Sequence, residues 1–594
     1  MKTTPIHTFH IPVMGLAYTI DSPIRVAHLG ISSVISVMDD ELIERLNKLY
    51  SEKFELPYKE IGRKVEDFRA KRITAYLDTV DTIVKEKFSN FKKELLDSKK
   101  RVTEFLKVLP DSSILKEQAE QYVLDNLSFE RFKEVLESYF KPGSIDVNIM
   151  TKVDREQYNG KEVLPSIYSD AHAALRGFAE SKVQSSLILS AGMNPRLFSY
   201  FESFDVFYPQ QHKALDKKIV LKVSDYRSAL IQGSFLAKKG IWVSEYRIES
   251  GLNCGGHAFA TDGFLLGPIM AEFKNQRQEL IATTHKLLCN ALEEKQRYTP
   301  EEPLELKITV QGGVGTAEEH QFLLDTYEVD SVGWGSPFLL VPEATSVDLQ
   351  TRKLLADAKE KDLYLSNISP LGIPFNTVRG TTNEAINKLR NANEKYGSSC
   401  PRKYLALDKT HAVEGWCTAS KKHQAKEIKA LKDIKSTLSN DDYISKIKSI
   451  TEKSCLCIGL ANASLIEQNL PIKGEAQGVV ICPGPNMAYF DKEVSLAKMI
   501  QHIYGKENVM EHENRPNFLI KELEMYREHF KKELSAITED SSVVAKKKLD
   551  KLKNNILNGI DYYKNLFEKT SNYFQSDNSK ILKELERIKI EISN

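Results

Sequence analysis

Residues 304–344 constrain the fold more than any other part of the chain. This segment holds two short apolar runs, LKITV and DSVGWG, with a helical pattern between them. Each run ends near glycine, at the point where a strand would give way to a loop. The pattern predicts a strand, a helix and a second strand, with both glycine-bearing loops at the same end of a parallel pair.

These two loops are candidates for a phosphate site. Gly312 and Gly313 follow the first strand, and Gly335 and Ser336 follow the second. Backbone N–H groups can approach a phosphate closely where no Cβ intervenes, although the same glycines could simply serve turns and packing. The loops after strands 7 and 8 commonly form the phosphate site of a (β/α)8 barrel, so the choice depends on whether six strands precede this pair.

Six further apolar runs, alternating with helical patterns, do precede it. They span residues 10–20, 31–37, 144–153, 185–192, 217–225 and 241–250. Eight alternating units predict an α/β fold, a (β/α)8 TIM barrel. Met14 and Gly15 would bring the backbone of the first unit close to the barrel mouth, where a cofactor would bind.

The remaining segments predict additions to this barrel. Residues 1–38 carry the first two strands, and residues 39–141 form a helical insertion that is too long for an ordinary loop. The rest of the barrel spans residues 142–350. We expect a cysteine-rich extension over residues 351–500 and a helical C-terminal region over residues 501–594, the latter a structural or oligomerising hairpin.

Charge and hydropathy limit which cellular compartment and which partners we expect. The 594-residue chain has 83 basic and 82 acidic residues and a net charge of +1, which gives no bulk electrostatic argument for nucleic acid. The N-terminus lacks the apolar core of a signal peptide, and no run approaches the roughly 20 residues of a membrane span. We expect a cytoplasmic protein without a membrane partner, in which seven cysteines indicate metal binding or catalysis more than disulfides.

The sixth predicted strand leads into a loop that carries a candidate catalytic residue. His257 follows two glycines, which make room for a flat ligand, and lies at the predicted barrel mouth. A histidine can donate or accept a proton as a substrate carbon changes oxidation state, so we predict that His257 is the acid/base. Cys254 in the same loop is either a second proton donor or a small apolar filler.

Two segments resemble a known family. Residues 217–260, which end in GLNCGGHAF, and residues 304–344 are similar to the fifth and sixth and the last two strands of nitronate monooxygenases and flavin-dependent enoyl-acyl carrier protein reductases. CGGHAFATDG is also close to a loop in the reductase component of polyunsaturated fatty acid synthases. Asn253-Cys254 stands where the family usually has Glu-Ala, and the helical insertion is longer than in simple members.

This resemblance implies an FMN-dependent oxidoreductase. It assigns the FMN phosphate to the two glycine-bearing loops and the acid/base role to His257. The implied substrate is an activated carbon acid or a conjugated double bond, small or bound to a carrier. Because no G-x-G-x-x-G follows a strand, an electron-donor protein is a candidate partner.

Four cysteines in the predicted extension suit a metal centre. Cys400, Cys417, Cys455 and Cys457 could hold a [4Fe–4S] cluster or a zinc ion, or be unconnected buried residues. An iron–sulfur cluster beside a flavin can pass single electrons to a two-electron carrier, so it is our first choice. Cys482 could be a further ligand of the same metal centre. The alternative function is a non-catalytic binding or assembly protein, with the barrel as scaffold and zinc at the cysteines.

Overall fold

Eight parallel strands close into a barrel in the computed structural model, which describes residues 5–160, 162–190, 192–472, 478–510, 514–538, 541–569 and 572–593. The strands are β1 Phe9–Ile11, β2 Ser32–Ser36, β3 Ile145–Met150, β4 Ser186–Ser190, β5 Lys218–Val223, β6 Val243–Glu249, β7 Lys307–Gln311 and β8 Ser331–Gly333. β1 closes the ring by pairing with β8, Phe9 opposite Val332. The predicted α/β TIM barrel is confirmed.

The first strand is much shorter than the apolar run that predicts it. β1 ends before Pro12, which has no N–H to donate to a neighbouring strand. Gly15 then adopts a φ of 55°, and a Cβ there would lie 2.4 Å from the Tyr18 ring. The remainder of the run therefore turns across the barrel mouth instead of extending the strand, and it reaches a helix that starts at Ser22.

Helices cover the outside of the barrel. They are Ser22–Val26 after β1, Asp170–Glu180 after β3, Pro195–Tyr200 after β4, Tyr226–Ala237 after β5, Leu266–Glu294 after β6, Ala317–Tyr327 after β7 and Leu349–Asp357 after β8. A two-stranded hairpin, Tyr158–Asn159 with Glu162–Val163, precedes the helix after β3. Short 3₁₀ helices occupy Ala27–Leu29, Ser166–Tyr168, Phe201–Ser203, Asp205–Phe207, Ser336–Leu340, Glu360–Asp362, Lys435–Thr437 and Pro485–Tyr489.

The segment between β2 and β3 is helical, as predicted. Its helices are Asp40–Lys53, Phe68–Asp97, Lys99–Leu106, Ile114–Val123 and Phe129–Tyr139. Phe68–Asp97 packs against both Ser22–Val26 and Asp170–Glu180. It therefore occupies the place of the barrel's own second helix, and the other helices are the added part.

The extension and C-terminal region cover the barrel mouth and one side. The extension holds an antiparallel hairpin, Leu363–Ser366 with Phe375–Val378, and the helices Thr382–Ala392, Lys421–Asp433, Asn440–Thr451, Leu456–Glu467 and Leu496–Ile503. Three C-terminal helices, Phe518–Ala536, Val543–Lys569 and Asn578–Ser593, replace the expected hairpin. The first two also pack on Leu266–Glu294.

One hydrophobic core joins all these parts. Its buried residues run from Phe9 in β1 to Ile592 in the last helix and include members from the insertion and extension. The predicted domain boundaries therefore remain predictions, because buried contacts cross each of them. Within the described part of the chain, no helix is both long and apolar enough to cross a membrane.

Candidate active site

Two adjoining cavities lie at the carboxyl ends of the barrel strands. The larger, which we call the mouth cavity, has a volume of about 350 Å³, and the smaller, the glycine cavity, about 90 Å³. Both are lined by Val13, Gly15, Glu249, Cys254, Gly255, Gly256 and Cys482. This end of a TIM barrel is where substrates and cofactors bind.

Every residue predicted to bind the cofactor lines the glycine cavity. Its lining includes Met14, Gly15, Gly312, Gly313, Gly335 and Ser336. Ser336 Oγ accepts a hydrogen bond from the Gly484 N–H at 2.8 Å, so the extension also helps to close the cavity. The structure thus brings together residues that are more than 300 positions apart in sequence.

The glycines in this cavity have two different roles. A Cβ at Gly313 would lie 2.0 Å from Asn253 Nδ2, and one at Gly312 would lie 2.6 Å from Ser250 Cβ. Both also have positive φ, so loop packing alone requires glycine at these positions. A Cβ at Gly335 would make only ordinary contacts, 3.6 Å from Pro12 Cγ, which leaves open space beside it.

One buried oxygen in the glycine cavity lacks a donor. Asn253 Oδ1 is buried, has no hydrogen-bond partner among the described residues and lines this cavity, whereas the Gln311 side chain is paired with His10 and Glu249. Buried acceptors of this kind normally find a donor. A phosphate-bearing cofactor with hydroxyl or N–H donors, such as FMN, is compatible with this acceptor and with the open space beside Gly335.

The floor of the mouth cavity is polar. Lys222 of β5 lies 2.9 Å from Glu249 of β6, and Glu249 accepts a hydrogen bond from the Gln311 side chain at 2.6 Å. Asn148 of β3 adds a buried Oδ1 without a partner among the described residues. These residues were not predicted from the sequence. Their signal is a polar residue near the end of an apolar strand, at a position that faces the barrel interior.

The extension hairpin fixes the loop that carries His257. Asn376 donates its backbone N–H to the Gly256 carbonyl at 2.8 Å and its side-chain amide to the Cys254 carbonyl at 2.7 Å. The Ala258 N–H donates to the Pro374 carbonyl at 2.9 Å. The barrel therefore supplies the loop, and the extension holds it in place.

His257 lies at the mouth cavity as predicted, in an uncharged state. Its Nε2 is 2.7 Å from Ser369 Oγ, and its ring meets Phe375 edge-on with centroids 4.9 Å apart. Burial, reinforced by the nearby Lys222 ammonium, lowers the pKa of His257 to about 4. At neutral pH the imidazole can therefore accept a proton. Ser369 and Phe375 were not predicted, because they come from a segment with no site motif.

Two further thiols lie beside this loop. Burial, followed by the Glu249 carboxylate, raises the pKa of the Cys254 thiol well above its ordinary value, so Cys254 stays protonated. Burial likewise raises the pKa of Cys482 to about 12, and its thiol lies against Tyr18 and the N–H groups of Gly15 and Gly256. Cys482 thus belongs to the mouth of the barrel. Both roles of Cys254, proton donor or apolar filler, stay predictions.

The four cysteines predicted as metal ligands lie near one another. Cys455 precedes the helix Leu456–Glu467, and Cys457 lies in its first turn. A hydrogen bond from Cys417 lowers the pKa of Cys400, and the Cys417 pKa is raised by that bond, by burial and by the negative potentials of Cys400, Cys457 and Cys455.

Backbone donors surround the same sulfurs. The N–H groups of Lys403 and Leu405 donate to the sulfurs of Cys400 and Cys457 respectively. Cys457 also lines the mouth cavity, whereas Cys400 and Cys417 line a separate groove of about 1030 Å³. The four cysteines therefore lie between the mouth cavity and this groove.

A buried carboxyl group from the C-terminal region supports the start of the His257 loop. Glu522 accepts hydrogen bonds from Ser250 Oγ at 2.5 Å and from the Leu266 N–H at 2.8 Å. Ser250 Oγ in turn accepts from the Asn253 N–H at 3.0 Å. Burial raises the pKa of Glu522 to about 7. The sequence contains no signal for this contact, which joins residues far apart in the chain.

No family model matches this sequence, and no curated protein matches it. Among solved structures, FabK from Thermotoga maritima is similar over 64% of this chain and 79% of its own, at 11% identity and a TM-score of 0.32. The enoyl reductase domain of MlnA from Bacillus amyloliquefaciens is similar over 71% of this chain and 89% of its own, at 13% identity and a TM-score of 0.33. A nitroalkane oxidase from Streptomyces ansochromogenes is similar over 85% of this chain and 95% of its own, at 8% identity and a TM-score of 0.35. Likenesses of this strength carry no argument about activity.

We predict that Glu522→Gln removes a pH-dependent loss of stability. The folded-state pKa of about 7 lies above the ordinary 4.5, so between these values the folded protein holds a proton that the unfolded chain has released. The stability contributed by the protonated carboxyl is complete below pH 4.5 and is lost as pH rises through 7. Above pH 7 the variant should be more stable than the wild type, by up to about 3 kcal/mol.

Urea unfolding at pH 5 and pH 8 measures this difference. Glu528→Gln is the matched control, because Glu528 is exposed on the same helix and should leave the pH dependence unchanged. If Glu522→Gln kept the pH dependence of the wild type, the buried carboxyl would not be its source.

Proposed function

We propose that this protein is an FMN-dependent oxidoreductase of the nitronate monooxygenase and flavin-dependent enoyl reductase type. One observation carries the proposal. A glycine-lined cavity with an unpaired acceptor adjoins a mouth cavity that contains a buried histidine, at the end of the barrel where ligands bind. The substrate would be an activated carbon acid or a conjugated double bond, small or carried on a larger molecule.

The two cavities would bind different parts of the cofactor and substrate. The loops at Gly313 and Gly335 would hold the phosphate, and Asn253 would accept a hydrogen bond from the cofactor. FMN, when bound, supplies a two-electron acceptor and donor. Because the glycine cavity is only about 90 Å³, the flavin ring and the substrate would share the mouth cavity of about 350 Å³ beside His257.

His257 would handle the substrate proton. Its lowered pKa keeps the imidazole neutral, so the ring is free to take a proton from an activated carbon acid, as a weaker base than an ordinary histidine. Ser369, hydrogen-bonded to Nε2, holds the ring in one orientation. In the reduction of a conjugated double bond, where bound reduced FMN would supply a hydride to one carbon, His257 would pass a proton taken up from solvent to the other carbon.

We further propose that Cys400, Cys417, Cys455 and Cys457 hold a [4Fe–4S] cluster. An iron–sulfur cluster is our first choice over zinc because a cluster beside a flavin can pass single electrons to a two-electron carrier. The backbone N–H groups directed at two sulfurs also fit cluster ligands, whose potential is tuned by such bonds.

The groove beside these cysteines supports an electron-donor protein as a partner. Arg155, Lys403, Lys421 and Lys422 line it, with Glu414 as its one acidic lining residue among those described. A concave surface with this charge favours an acidic partner. An iron–sulfur cluster at this position would supply one-electron transfer between that partner and the mouth cavity.

We predict that Gly335→Leu prevents FMN retention while Gly335→Ala preserves it. The first side chain would fill the open part of the glycine cavity, whereas the alanine Cβ makes only ordinary contacts with Pro12 and Met14. Flavin absorbance per folded protein after reconstitution measures the difference. Full flavin content in Gly335→Leu would place the phosphate elsewhere.

We expect His257→Asn to retain FMN but to slow the half-reaction with substrate by about 10²–10⁴-fold. Reduction of the flavin by dithionite should remain normal, because that reaction does not need the imidazole. Anaerobic stopped-flow measurements with a nitroalkane and with an α,β-unsaturated thioester identify which substrate class responds. His212→Asn, at an exposed histidine, is the control. An unchanged substrate half-reaction in His257→Asn would rule out the acid/base role.

Cys457→Ser should remove iron and acid-labile sulfide without removing FMN. Cys289→Ser is the matched control, since Cys289 lies on the helix Leu266–Glu294 beside His285. Iron, sulfide, zinc and flavin are measured on each purified protein. Stoichiometric zinc in place of iron, lost only in Cys457→Ser, would favour the alternative of a zinc-stabilised scaffold.

A further inference from the structure

A second group of metal-ligating side chains lies in the extension, apart from the cysteines and the mouth cavity. His411, His423 and Glu427 each offer a ligand atom, and these atoms lie within 4.8 Å of one another. His411 Nε2 is 2.5 Å from Glu427 Oε1, and the two imidazole centroids are 5.2 Å apart. We propose that these three residues form a zinc site, independent of the proposed flavin chemistry.

The local fold presents these ligands together. His423 and Glu427 are four residues apart on the helix Lys421–Asp433, so their side chains lie on the same face. His411 comes from a loop whose ends, Asp408 and Trp416, are joined by two backbone hydrogen bonds of 3.1 and 2.7 Å. A metal ion would therefore fasten a closed loop to one face of a helix.

The hydrogen bonding around His423 is incomplete without a ligand. His423 is only 8% exposed, and its buried Nδ1 has no hydrogen-bond partner among the described residues. Its Nε2 lies 3.4 Å from an oxygen of Asp408. A carboxylate next to a metal-binding histidine commonly orients the imidazole, and a carboxylate at this distance can also complete a ligand set.

Glu427 is the acidic ligand that this helix offers. It is the one acidic residue between Lys421 and Lys432. Its carboxylate contacts His411 and lies close to His423, so it is placed beside both imidazoles.

Ligand chemistry favours a transition-metal ion such as zinc over Mg²⁺ and Ca²⁺. Two imidazoles and a carboxylate suit Zn²⁺, whereas Mg²⁺ and Ca²⁺ prefer ligand sets made of oxygen atoms. The set contains no sulfur, so it differs chemically from the four-cysteine group. Because Cys417 directly follows the loop that ends at Trp416, the ion would also restrain the segment that carries this cysteine.

Metal titration of the full-length, chelator-treated protein tests the site, with Zn²⁺ and Co²⁺ alone as probes. We expect Co²⁺ at this site to give a tetrahedral spectrum without thiolate charge-transfer bands, seen alone in Cys457→Ser and beside any thiolate bands from the four-cysteine group in the wild type. His411→Asn and Glu427→Gln should each weaken binding by at least about tenfold. His212→Asn should bind as the wild type does, and Cys457→Ser should keep this Co²⁺ signal.

Thermal unfolding with and without Zn²⁺ gives a second readout on the same proteins. Zn²⁺ should raise the melting temperature of the wild type and of His212→Asn, but not that of the double variant His411→Asn/Glu427→Gln. Circular dichroism confirms that the double variant is folded before titration. Wild-type affinity in this variant, a Co²⁺ spectrum with thiolate bands only, or no metal binding by the wild type would each overturn the proposal.

Discussion

The hydrogen bonds between the loop after β6 and the extension hairpin hold the candidate active site together. A loop with adjacent glycines loses much conformational entropy when it is ordered, so it needs partners to stay in one place. Asn376 and Pro374 supply them through Cys254, Gly256 and Ala258. Each bond contributes only about 1 kcal/mol. Together they determine where His257 lies relative to the cavity floor.

A buried ionic group ties the helical insertion to this same extension. Asp39 pairs with Arg402, Asp40 pairs with Arg69 at 2.7 Å, and the Tyr404 hydroxyl donates to Asp40 at 2.9 Å and lies 3.1 Å from Asp39. Removing one partner from such a group would leave a buried charge uncompensated, which costs several kcal/mol. The group positions Leu405, whose side chain lines the mouth cavity and whose N–H reaches Cys457.

Local sequence patterns were sufficient to predict the barrel and part of the site. Alternation of apolar runs and helices predicted eight units, and the glycine pairs marked the loops that line one cavity. Inward-facing polar residues such as Lys222 and Glu249 were visible in the strands, but only a known barrel direction shows that they share a floor. Ser369 and Glu522 could not be predicted, because their contacts with the His257 loop join segments more than 100 residues apart.

The support of one loop from two sides has an evolutionary consequence. Glu522 holds the start of the His257 loop, and the hairpin that contains Phe375 holds its end. The barrel therefore cannot be transferred by recombination as a self-sufficient unit. A gene fusion that exchanged the extension and the C-terminal helices would have to bring compatible partners for Ser250 and Gly256 with it. Lineages that carry this barrel should consequently inherit the extension and the terminal helices as one block.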